Sequence, residues 1–347
     1  MTNKILFILK RREDYNDVIH YSLSSSTGLY NSVSFLEKML KENGIQSKLV
    51  IVNDNNDIDR EVSLYKPTHV IIEALWVIPT KFEVLQRLHP KVKWIIRLHS
   101  DMPFIANEGM AMGWIGQYMK LANVYIACNS PKMFEEVSFY VRHKMNGFKN
   151  IVMYLPNFYP QQYKSKKFIP KNDEINIGCF GAIRPLKNHL IQAHAAIKFA
   201  DKIGKKLIFH VNADRVEMKG EPVVRNLNDL FKEVSNKGHR LVNDGWLDRE
   251  NFLALCGKMD MGMQVSFSET FNIVAADMIS QGVPVVGSKQ IPWLSSLFAA
   301  DPCESVDIYN KLLLTHLFPS ANTYINKKLL TCYTNKTRRI WLRNFSS

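Results

Sequence analysis

The stretch SETFNIVAADMISQGVPVVGS, residues 268–288, decides the predicted fold of this chain. It begins with a polar turn that contains Glu269, continues as a helix of small and apolar residues that includes Asp277, and ends in the apolar run VPVVGS. Continuous apolar runs of this kind are typical of buried parallel strands, which need helical connections. The stretch therefore indicates an α/β protein, with two carboxylates eight residues apart at a strand-to-helix turn.

The same alternation of apolar runs and helical patterns extends along the chain. The first series of predicted strands is KILFILK, SKLVIVN, THVIIEAL, KWIIRLH, VYIACNS and NIVMYLPN, and the second is INIGCFG, KLIFHVN, HRLVNDG, DMGMQVS and VPVVGS. Amphipathic patterns such as SVSFLEKMLKENG lie between them and predict helices. The sequence thus predicts two doubly wound, Rossmann-like α/β domains whose strand ends face a cleft.

The length of the chain and one polar segment predict the domain boundaries. A chain of 347 residues exceeds what a single compact core usually holds. The Lys-rich connector FYPQQYKSKKFIPKNDE separates the two series of strands. We therefore expect an N-terminal domain over residues 1–160, a C-terminal domain over residues 172–306, and a basic helical segment over residues 307–347.

Composition narrows the class of protein. The chain has no uncharged apolar run long enough to cross a membrane, and its N-terminus does not resemble a signal peptide. Its five cysteines are scattered and include no CxxC motif, which favours a reducing, cytoplasmic environment over a disulfide framework or zinc site. The net charge of +13 favours an acidic partner such as nucleic acid, anionic lipid or a nucleotide, although a solvated basic surface is the alternative explanation.

The positive charge is concentrated in three parts of the sequence. Its clusters are Lys10, Arg11 and Arg12; Lys164, Lys166, Lys167 and Lys171; and Lys327, Lys328, Lys336, Arg338, Arg339 and Arg343.

The turn FSETFN predicts an anion site beside a polyol site. At the start of the helix, the backbone N–H groups of Thr270, Phe271 and Asn272 point at any anion placed there, and the helix dipole favours negative charge. Glu269 would repel a phosphate, so we expect it to accept hydrogen bonds from a neutral polyol, and Asp277 to accept from a second one. A sugar, a diphosphate and a ribose satisfy this arrangement, which predicts a nucleotide sugar as the ligand.

The spacing of these residues resembles a known donor signature. The pattern here is a carboxylate, seven residues, a second carboxylate and then GVPVVGS. It is similar to the donor motif of retaining glycosyltransferases of the two-domain GT-B superfamily, in particular of family four. The segment IGCFGAIRPLKN resembles the family's next donor element, in which a glycine is followed six residues later by a lysine that holds the diphosphate. Gly181 and Lys187 occupy those positions.

The chain departs from that family pattern at two positions. An arginine usually follows the glycine directly, whereas this chain has Ala182 there and Arg184 two residues further on. Most members have glutamate as the second carboxylate, where this chain has Asp277. The resemblance implies that Arg184 reaches the donor phosphates by another route.

Weaker resemblances cover the remaining parts of the chain. The segment DGWLDRENFLALCGKMDMGMQVS is similar to the family's glycine turn, which places Trp246 near the nucleotide base. SSSTGLYNSVSFLEKML stands where the family has a glycine-rich loop under the donor phosphates, here with Gly28, and RLHSDMPF resembles the motif whose histidine, here His99, lies by the transferred sugar. LPNFYP resembles the turn that opens the interdomain linker.

The implied activity is that of a metal-independent, retaining glycosyltransferase. His99, Lys187 and Glu269 would be its catalytic residues, and a nucleotide sugar, expected to be a UDP-sugar, would be its co-substrate without any further cofactor. The pattern Asp57-x-Asp59 is similar to the metal-binding motif of the other glycosyltransferase superfamily, but we interpret it as a solvated loop. The histidines show no ligand spacing, so no metal site is predicted.

The sequence leaves the identity of the acceptor undecided between several candidates. A hydroxymethylated pyrimidine in duplex DNA is the first hypothesis, as in viral enzymes that would act in the host cytoplasm, since basic clusters suit DNA phosphates. A lipid-linked or cell-surface glycan and a small soluble molecule are the alternatives. The segment NEGMAMGWIGQYMKLAN has a single lysine and therefore predicts a helix near the substrate rather than a membrane contact. An interpretation of another class is a nucleotide-sugar or nucleic-acid binding protein without turnover.

Overall fold

The computed structural model describes residues 3–11, 28–144, 152–164 and 173–346, which form two compact units. The first unit comprises Met1–Pro160 and Thr334–Ser347, and the second comprises Gln161–Tyr333. We call them the first and second domains. Residues 307–347, predicted as a segment of their own, are divided between the two. Residues 165–172 of the connector lie outside the described residues, and so do several basic residues, namely Arg12, Lys166, Lys167 and Lys171.

The first domain alternates strands and helices around a parallel sheet. Its elements are β1 (Lys4–Lys10), α1 (Gly28–Glu42), β2 (Gln46–Val52), α2 (Asp57–Tyr65), β3 (His69–Glu73), α3 (Pro79–Leu88), β4 (Lys93–Leu98), α4 (Met102–Ile105), α5 (Ala111–Tyr118), β5 (Val124–Cys128), α6 (Pro131–Lys144) and β6 (Val152–Tyr154). The strand order is β2-β1-β3-β4-β5-β6, and every pairing is parallel.

The sheet of the first domain is buried on both faces, as its continuous apolar strands predict. Side chains alternate across a strand, so Leu6 and Ile8 of β1 pack into the core on one face and Ile5 and Phe7 into the core on the other. Trp341, near the C-terminus, packs on the second face with its ring centroid 6.0 Å from that of Phe7. The end of the chain is therefore part of the first domain's core.

The second domain has the same construction. Its elements are β7 (Glu174–Ile183), α7 (His189–Lys202), β8 (Lys206–Val216), α8 (Glu221–Glu233), β9 (Arg240–Asn243), α9 (Arg249–Lys258), β10 (Met261–Gln264), α10 (Ile273–Ser280), β11 (Val285–Ser288), β12 (Ala299–Ala300), α11 (Ser305–Leu317) and α12 (Pro319–Phe345), of which the part from Thr334 onward belongs to the first domain. The strands pair in parallel in the order β12-β11-β10-β7-β8-β9.

The order of these strands locates a switch point in each sheet. In the second domain the chain proceeds from β7 to β8 and β9 on one side, and then returns to place β10, β11 and β12 on the other. In the first domain the corresponding change of direction lies between β1 and β3. Doubly wound sheets bind ligands outside the carboxyl ends of the strands at such a point. A ligand site is therefore expected at the turns after β7 and β10.

The predicted fold class is confirmed. Each of the eleven predicted strand segments overlaps an observed strand, whereas the two-residue strand β12 was not predicted. Among the described residues, no helix combines the length and the apolarity that crossing a membrane requires.

The interpretation of Asp57-x-Asp59 as a loop is wrong. Both residues lie in the first turn of α2, where carboxylates are favoured by the positive end of the helix dipole. Asp59 Oδ1 lies 2.6 Å from His89 Nε2, and Asp57 Oδ2 accepts a hydrogen bond from the backbone N–H of Asn53. The two carboxylates thus have structural partners within the first domain.

Candidate functional site

The turn between β10 and α10 is shaped by the cap of that helix. Asn272, the N-cap, has φ of 60°, and its Oδ1 accepts a hydrogen bond of 2.8 Å from the backbone N–H of Ala275. Phe271 is buried, and its carbonyl oxygen accepts from the indole N–H of Trp293 at 2.7 Å. Thr270 is half-buried. The helix start is therefore rigid, with the ring of Phe271 as its anchor in the core.

Lys187 and Glu269 meet at the switch point of the second sheet. A short 3-10 turn, Pro185–Lys187, follows β7, and the Nζ of Lys187 donates a hydrogen bond to Oε1 of Glu269. The same carboxylate oxygen accepts from Nδ2 of Asn272 at 3.0 Å. The exposed fractions of the lysine and glutamate side chains are 15% and 8%, so the ion pair lies in a site that is largely shielded from solvent.

Backbone contacts hold the two turns of this ion pair together. The N–H of Phe267, after β10, donates to the carbonyl oxygen of Leu186 at 3.0 Å. Asn188 Nδ2 donates to the carbonyl oxygen of Val265, also at 3.0 Å. Lys187 and Glu269, separated by 82 positions, are thus fixed opposite each other by the fold and not only by their charges.

Gly181 has a conformation that favours glycine, and an asparagine secures it. Its φ is +114°, in the region that side chains rarely adopt, and its N–H donates to Oδ1 of Asn212 at 3.0 Å. Nδ2 of Asn212 in turn donates to the carbonyl oxygen of Gly245 at 2.7 Å. Asn212, which the sequence did not single out, therefore joins the glycine turns near the ends of β7 and β9.

Arg184 and Trp246 are linked through two residues that the sequence did not indicate. Arg184 Nη1 lies 3.5 Å from Glu217 Oε2, and Arg215 Nε donates to the other oxygen of Glu217 at 2.8 Å. The guanidinium of Arg215 lies over the Trp246 ring, 4.6 Å from its centroid. The indole nitrogen of Trp246 is buried and finds no hydrogen-bond partner in the part of the chain that the structure describes.

Asp277 is paired with Arg249 from the start of α9. The two guanidinium nitrogens Nη2 and Nη1 donate to Oδ1 at 2.8 Å and to Oδ2 at 3.3 Å. The exposed fraction of the aspartate side chain is 3%, against 23% for the arginine. Burial, and then the charge of Asp277, raise the pKa of Cys256 well above the usual value for a thiol. No sequence pattern connects residues 249 and 277, so Arg249 was missed.

His189, the first residue of α7, adds a neutral imidazole beside the cationic groups. Its burial, together with the charges of Lys187 and Arg184, lowers its pKa to about 3. It is therefore uncharged at physiological pH, and its Nδ1 has no hydrogen-bond partner within the described residues. Burial, the largest cause of this lowered pKa, disfavours a charge of either sign, and the two neighbouring cations add to the effect.

His99 follows β4 in the first domain and contacts three polar side chains. Its Nε2 lies 2.5 Å from Glu73 Oε2 and 3.3 Å from Arg97 Nη1, and its Nδ1 lies 3.2 Å from Asn129 Nδ2. Burial and then the charge of Arg97 lower the pKa of His99. Burial alone would raise the pKa of Glu73, but the charge of Arg97 and the hydrogen bond with His99 outweigh it, so that this pKa is also lowered.

Gly28 is the first described residue of α1. Its carbonyl oxygen accepts a hydrogen bond of 2.8 Å from the Ser32 hydroxyl. The residues SSST before it, 24–27, lie outside the described residues. Across the four described ranges, no group of three or more His, Cys, Asp or Glu side chains is placed to hold a metal ion.

Comparisons with known proteins support the fold. No protein-family model matches the sequence, and no curated protein matches it. Among solved structures, sucrose-phosphate synthase from Thermosynechococcus elongatus superposes with a TM-score of 0.68 at 14% identity, covering 99% of this chain and 98% of that one. A UDP-forming α,α-trehalose-phosphate synthase from Burkholderia vietnamiensis gives 0.68 at 9% identity, with 99% and 96% covered.

A third similar structure contains a nucleotide sugar. HepE from Anabaena, in complex with UDP-glucose, superposes with a TM-score of 0.62 at 12% identity, covering 97% of this chain and 96% of that one. At such identities the likeness shows the fold alone. The predicted GT-B fold, with its two Rossmann-like domains, is thereby confirmed.

Proposed function

We propose that this chain is a glycosyltransferase that moves a sugar from a UDP-sugar to an acceptor hydroxyl. The observation that supports the proposal most is the pairing of Lys187 with Glu269 at the switch point of the second sheet, beside the N-terminus of α10. A cation, a carboxylate and a helix N-terminus at one place match a diphosphate with a neutral polyol attached. The complex of the similar HepE with UDP-glucose supports the choice of donor.

The proposed reaction breaks the bond between the anomeric carbon and the diphosphate. The bond's electron pair leaves with the diphosphate, so negative charge grows on its oxygens while the sugar becomes oxocarbenium-like. Lys187, Arg184 and the α10 N-terminus would stabilise that charge, and Glu269 would orient the sugar through its hydroxyl groups. The acceptor oxygen then bonds to the anomeric carbon and passes its proton to an oxygen of the leaving diphosphate. Retention of the anomeric configuration is part of the proposal.

The remaining assignments concern the nucleoside. We assign the ribose hydroxyls to the paired Asp277 and Arg249, since a buried aspartate held by two guanidinium N–H groups offers both acceptors and donors. Trp246, stacked on Arg215, is assigned to the base. The backbone N–H groups of Thr270, Phe271 and Asn272, predicted to lie at the start of the helix, instead precede its first residue, Ile273, and are assigned to the diphosphate.

Two assignments fall in the first domain and rest on the resemblance. Gly28 is assigned to the donor phosphates, and His99 to the transferred sugar. A cytoplasmic location, supported by the scattered and unpaired cysteines, is proposed as well.

The function is tested by a donor and acceptor screen read by mass spectrometry. The purified chain is incubated with UDP-, ADP- and GDP-sugars and with three acceptor groups, namely hydroxymethylated duplex DNA, oligosaccharides and lipid-linked glycans, and small molecules including sugar phosphates. Sugar phosphates belong in the panel because two of the similar structures are named as sugar-phosphate synthases. A new hexosyl or pentosyl mass on one acceptor is the expected result, and no transfer with any pair contradicts the proposal.

Sugar transfer is expected to survive chelation. In the proposed site a lysine, an arginine and a helix N-terminus take the place of a divalent cation at the leaving diphosphate. Rates measured with excess EDTA and with added Mg²⁺ or Mn²⁺ should agree within the error of the assay. A rate that vanishes with EDTA and returns with Mn²⁺ would show that the cationic side chains do not suffice.

The first acceptor hypothesis, hydroxymethylated DNA, predicts strongly salt-dependent binding to duplex DNA. The logarithm of the binding constant should fall by about 0.9 per phosphate neutralised, for each tenfold rise in salt. Charge reversal at the exposed residues Arg339 and Arg343 should flatten that slope. Arg338 is less suitable for this test, because its guanidinium lies 5.6 Å from the Phe158 ring centroid and is half-buried.

The matched control for this experiment is charge reversal at Lys202, an exposed residue at the end of α7. A change equal to that at Arg339 and Arg343 would indicate a general effect of net charge. If hydroxymethylated DNA receives no sugar while an oligosaccharide, lipid or small molecule does, the DNA hypothesis is wrong. If nucleotide sugars bind but no bond breaks, the chain is instead a binding protein without turnover.

A further inference from the structure

The carboxyl ends of three neighbouring strands bring four polar side chains together in the first domain. Glu73 is the last residue of β3, Arg97 lies one position before the end of β4, His99 follows that strand, and Asn129 follows β5. Glu73 and Arg97 are fully or almost fully buried. β3 also borders the switch point of this sheet, where doubly wound domains bind ligands.

The contacts of His99 favour one of its two neutral tautomers, because Nε2 lies closer to Glu73 Oε2, at 2.5 Å, than to Arg97 Nη1, at 3.3 Å. Glu73, whose pKa is lowered, is ionised at neutral pH and can only accept, so Nε2 of His99 must carry the proton that points to Glu73 Oε2 at 2.5 Å. The pKa of His99 is lowered as well, so the ring is neutral and Nδ1 has a lone pair. Nδ2 of Asn129, 3.2 Å away, donates to that lone pair.

Glu73 is held in place by an arginine that is itself fixed on three sides. Arg97 Nη1 donates to Glu73 Oε2 at 3.0 Å, Nη2 donates to Asn157 Oδ1 at 2.5 Å, and Nε donates to the carbonyl oxygen of Leu155 at 2.9 Å. The guanidinium also lies over the ring of Trp341, 5.3 Å from the centroid. Arg97 therefore holds the Glu73 carboxylate in a fixed position. If the His99 ring rotated, the carboxylate could not move with it.

Three features distinguish this cluster from an ion pair that only stabilises the fold. Arginine and carboxylate usually pair through two parallel hydrogen bonds, yet Glu73 uses Oε2 for both Arg97 and His99. Its other oxygen, Oε1, is buried and finds no hydrogen-bond partner among the described residues. Ala74, directly after Glu73, has φ of 70°, a strained conformation for a residue with a side chain. The unsatisfied buried oxygen and the strained neighbour each cost stability, so the cluster is not the arrangement that stability alone would favour.

We propose that Glu73, held by Arg97, is a positioning residue that fixes His99 as the Nε2–H tautomer and so presents Nδ1 to the substrate as a hydrogen-bond acceptor. In this role His99 receives a hydroxyl group of the sugar or acceptor, which takes the place of the Asn129 amide at Nδ1. Asn129 is the partner at Nδ1, and its contact of 3.2 Å is longer than that of Nε2 with Glu73, so it is the one that a substrate hydroxyl exchanges. The inference rests on the proposed function for the identity of the hydroxyl compound, and on the structure for the tautomer.

The chemistry of the ligand follows from this tautomer. A lone pair on Nδ1 accepts from a hydroxyl, and it repels a phosphate or carboxylate oxygen, which brings no proton. Arg97 is fully buried and donates to Glu73, Asn157 and Leu155, so its guanidinium is not presented to an anion. The group that binds at Nδ1 of His99 is therefore a hydroxyl of a neutral polyol.

The test reads the tautomer of His99 directly. In the full-length chain with side-chain ¹⁵N-labelled histidine at pH 7.5, long-range ¹H–¹⁵N correlations distinguish Nε2–H from Nδ1–H, and the spectrum of His99→Gln identifies the signal. The wild type is expected to show Nε2–H. Glu73→Gln should populate Nδ1–H, because a neutral amide oxygen accepts less strongly than a carboxylate. Asn129→Ala, the matched control at the other ring nitrogen, should leave the tautomer unchanged.

Turnover gives the second readout. Glu73→Gln is expected to lower kcat by about tenfold or more, the usual effect of losing a hydrogen bond to a charged group, with little change in the KM of the nucleotide sugar. An unchanged tautomer in Glu73→Gln overturns the inference whatever happens to kcat, and a wild-type His99 in the Nδ1–H form overturns it without any variant. A wild type without turnover contradicts the proposed function instead, and the spectra still decide the role of Glu73.

Discussion

Replacing Lys187 by alanine is expected to lower kcat for sugar transfer by about a hundredfold or more, the scale for removing one charge from a developing oxyanion. The Nζ group contacts Glu269 at the switch point, and it is the cation placed to oppose the negative charge that grows on the leaving diphosphate. Its charge matters more as the bond breaks than when the donor binds. The affinity for UDP should therefore fall by less than kcat does.

The Lys187→Ala variant needs a control for charge and for folding. Lys202→Ala removes one positive charge from an exposed position in the same domain and should leave kcat unchanged. Thermal unfolding followed by circular dichroism should show the same cooperative transition in both variants, because the backbone at Lys187 is held by the Asn188 and Phe267 contacts. Turnover near the wild-type rate in the folded variant would remove Lys187 from the proposed donor site.

Breaking the Arg249 and Asp277 pair should markedly lower the stability of the second domain. Arg249→Met leaves the carboxylate of Asp277 buried without its cation, which costs about 3 kcal/mol when a buried pair loses one partner. For a domain of this size the midpoint of thermal unfolding then falls by roughly 6 to 12 °C. The double variant Arg249→Met, Asp277→Asn should be less destabilised than the sum of the single variants, since the second change removes the unpaired charge.

An exposed ion pair of the same domain provides the matched control. Lys237 and Asp201 lie 2.8 Å apart, but their side chains are 54% and 40% exposed. Lys237→Met should therefore change the stability by less than about 1 kcal/mol. Equal changes in the free energy of unfolding for Arg249→Met and Lys237→Met would show that the buried pair with Asp277 stabilises the domain no more than an exposed one. Additive effects in the double variant would show that Arg249 and Asp277 are not energetically coupled.

Local patterns suffice to predict most of the fold. The parallel strands are buried on both faces, so their apolar runs are continuous, and the run at 4–10 coincides with β1. The strand β12 was not predicted because it consists of only two residues, both alanine, and is too short to show a strand pattern. The prediction at Asp57 and Asp59 failed because an acidic, polar segment fits a loop and the first turn of a helix equally well.

The site was predictable only where a family motif fixes the spacing. The resemblance placed Lys187 and Glu269 in one site, and the structure brings these two side chains together. Arg249, Glu217, Asn212 and Glu73 were not singled out, because each acts through a partner on another element, and only the strand order shows which elements are neighbours. Both carboxylates of residues 268–288, Glu269 and Asp277, have cationic partners, and only the three-dimensional structure shows this.

The central claim is that the second domain binds a nucleotide sugar and weakens the bond between the sugar and the diphosphate. The most direct measurement is the release of UDP from UDP-sugars by the purified full-length chain without any acceptor, since water then takes the acceptor's place and the acceptor's identity does not matter. The account predicts slow, continuous release of UDP and free sugar by the wild type, and none above background by Lys187→Ala. A wild type that releases no UDP from any UDP-sugar, or a Lys187→Ala variant that releases it at the same rate, would contradict the account.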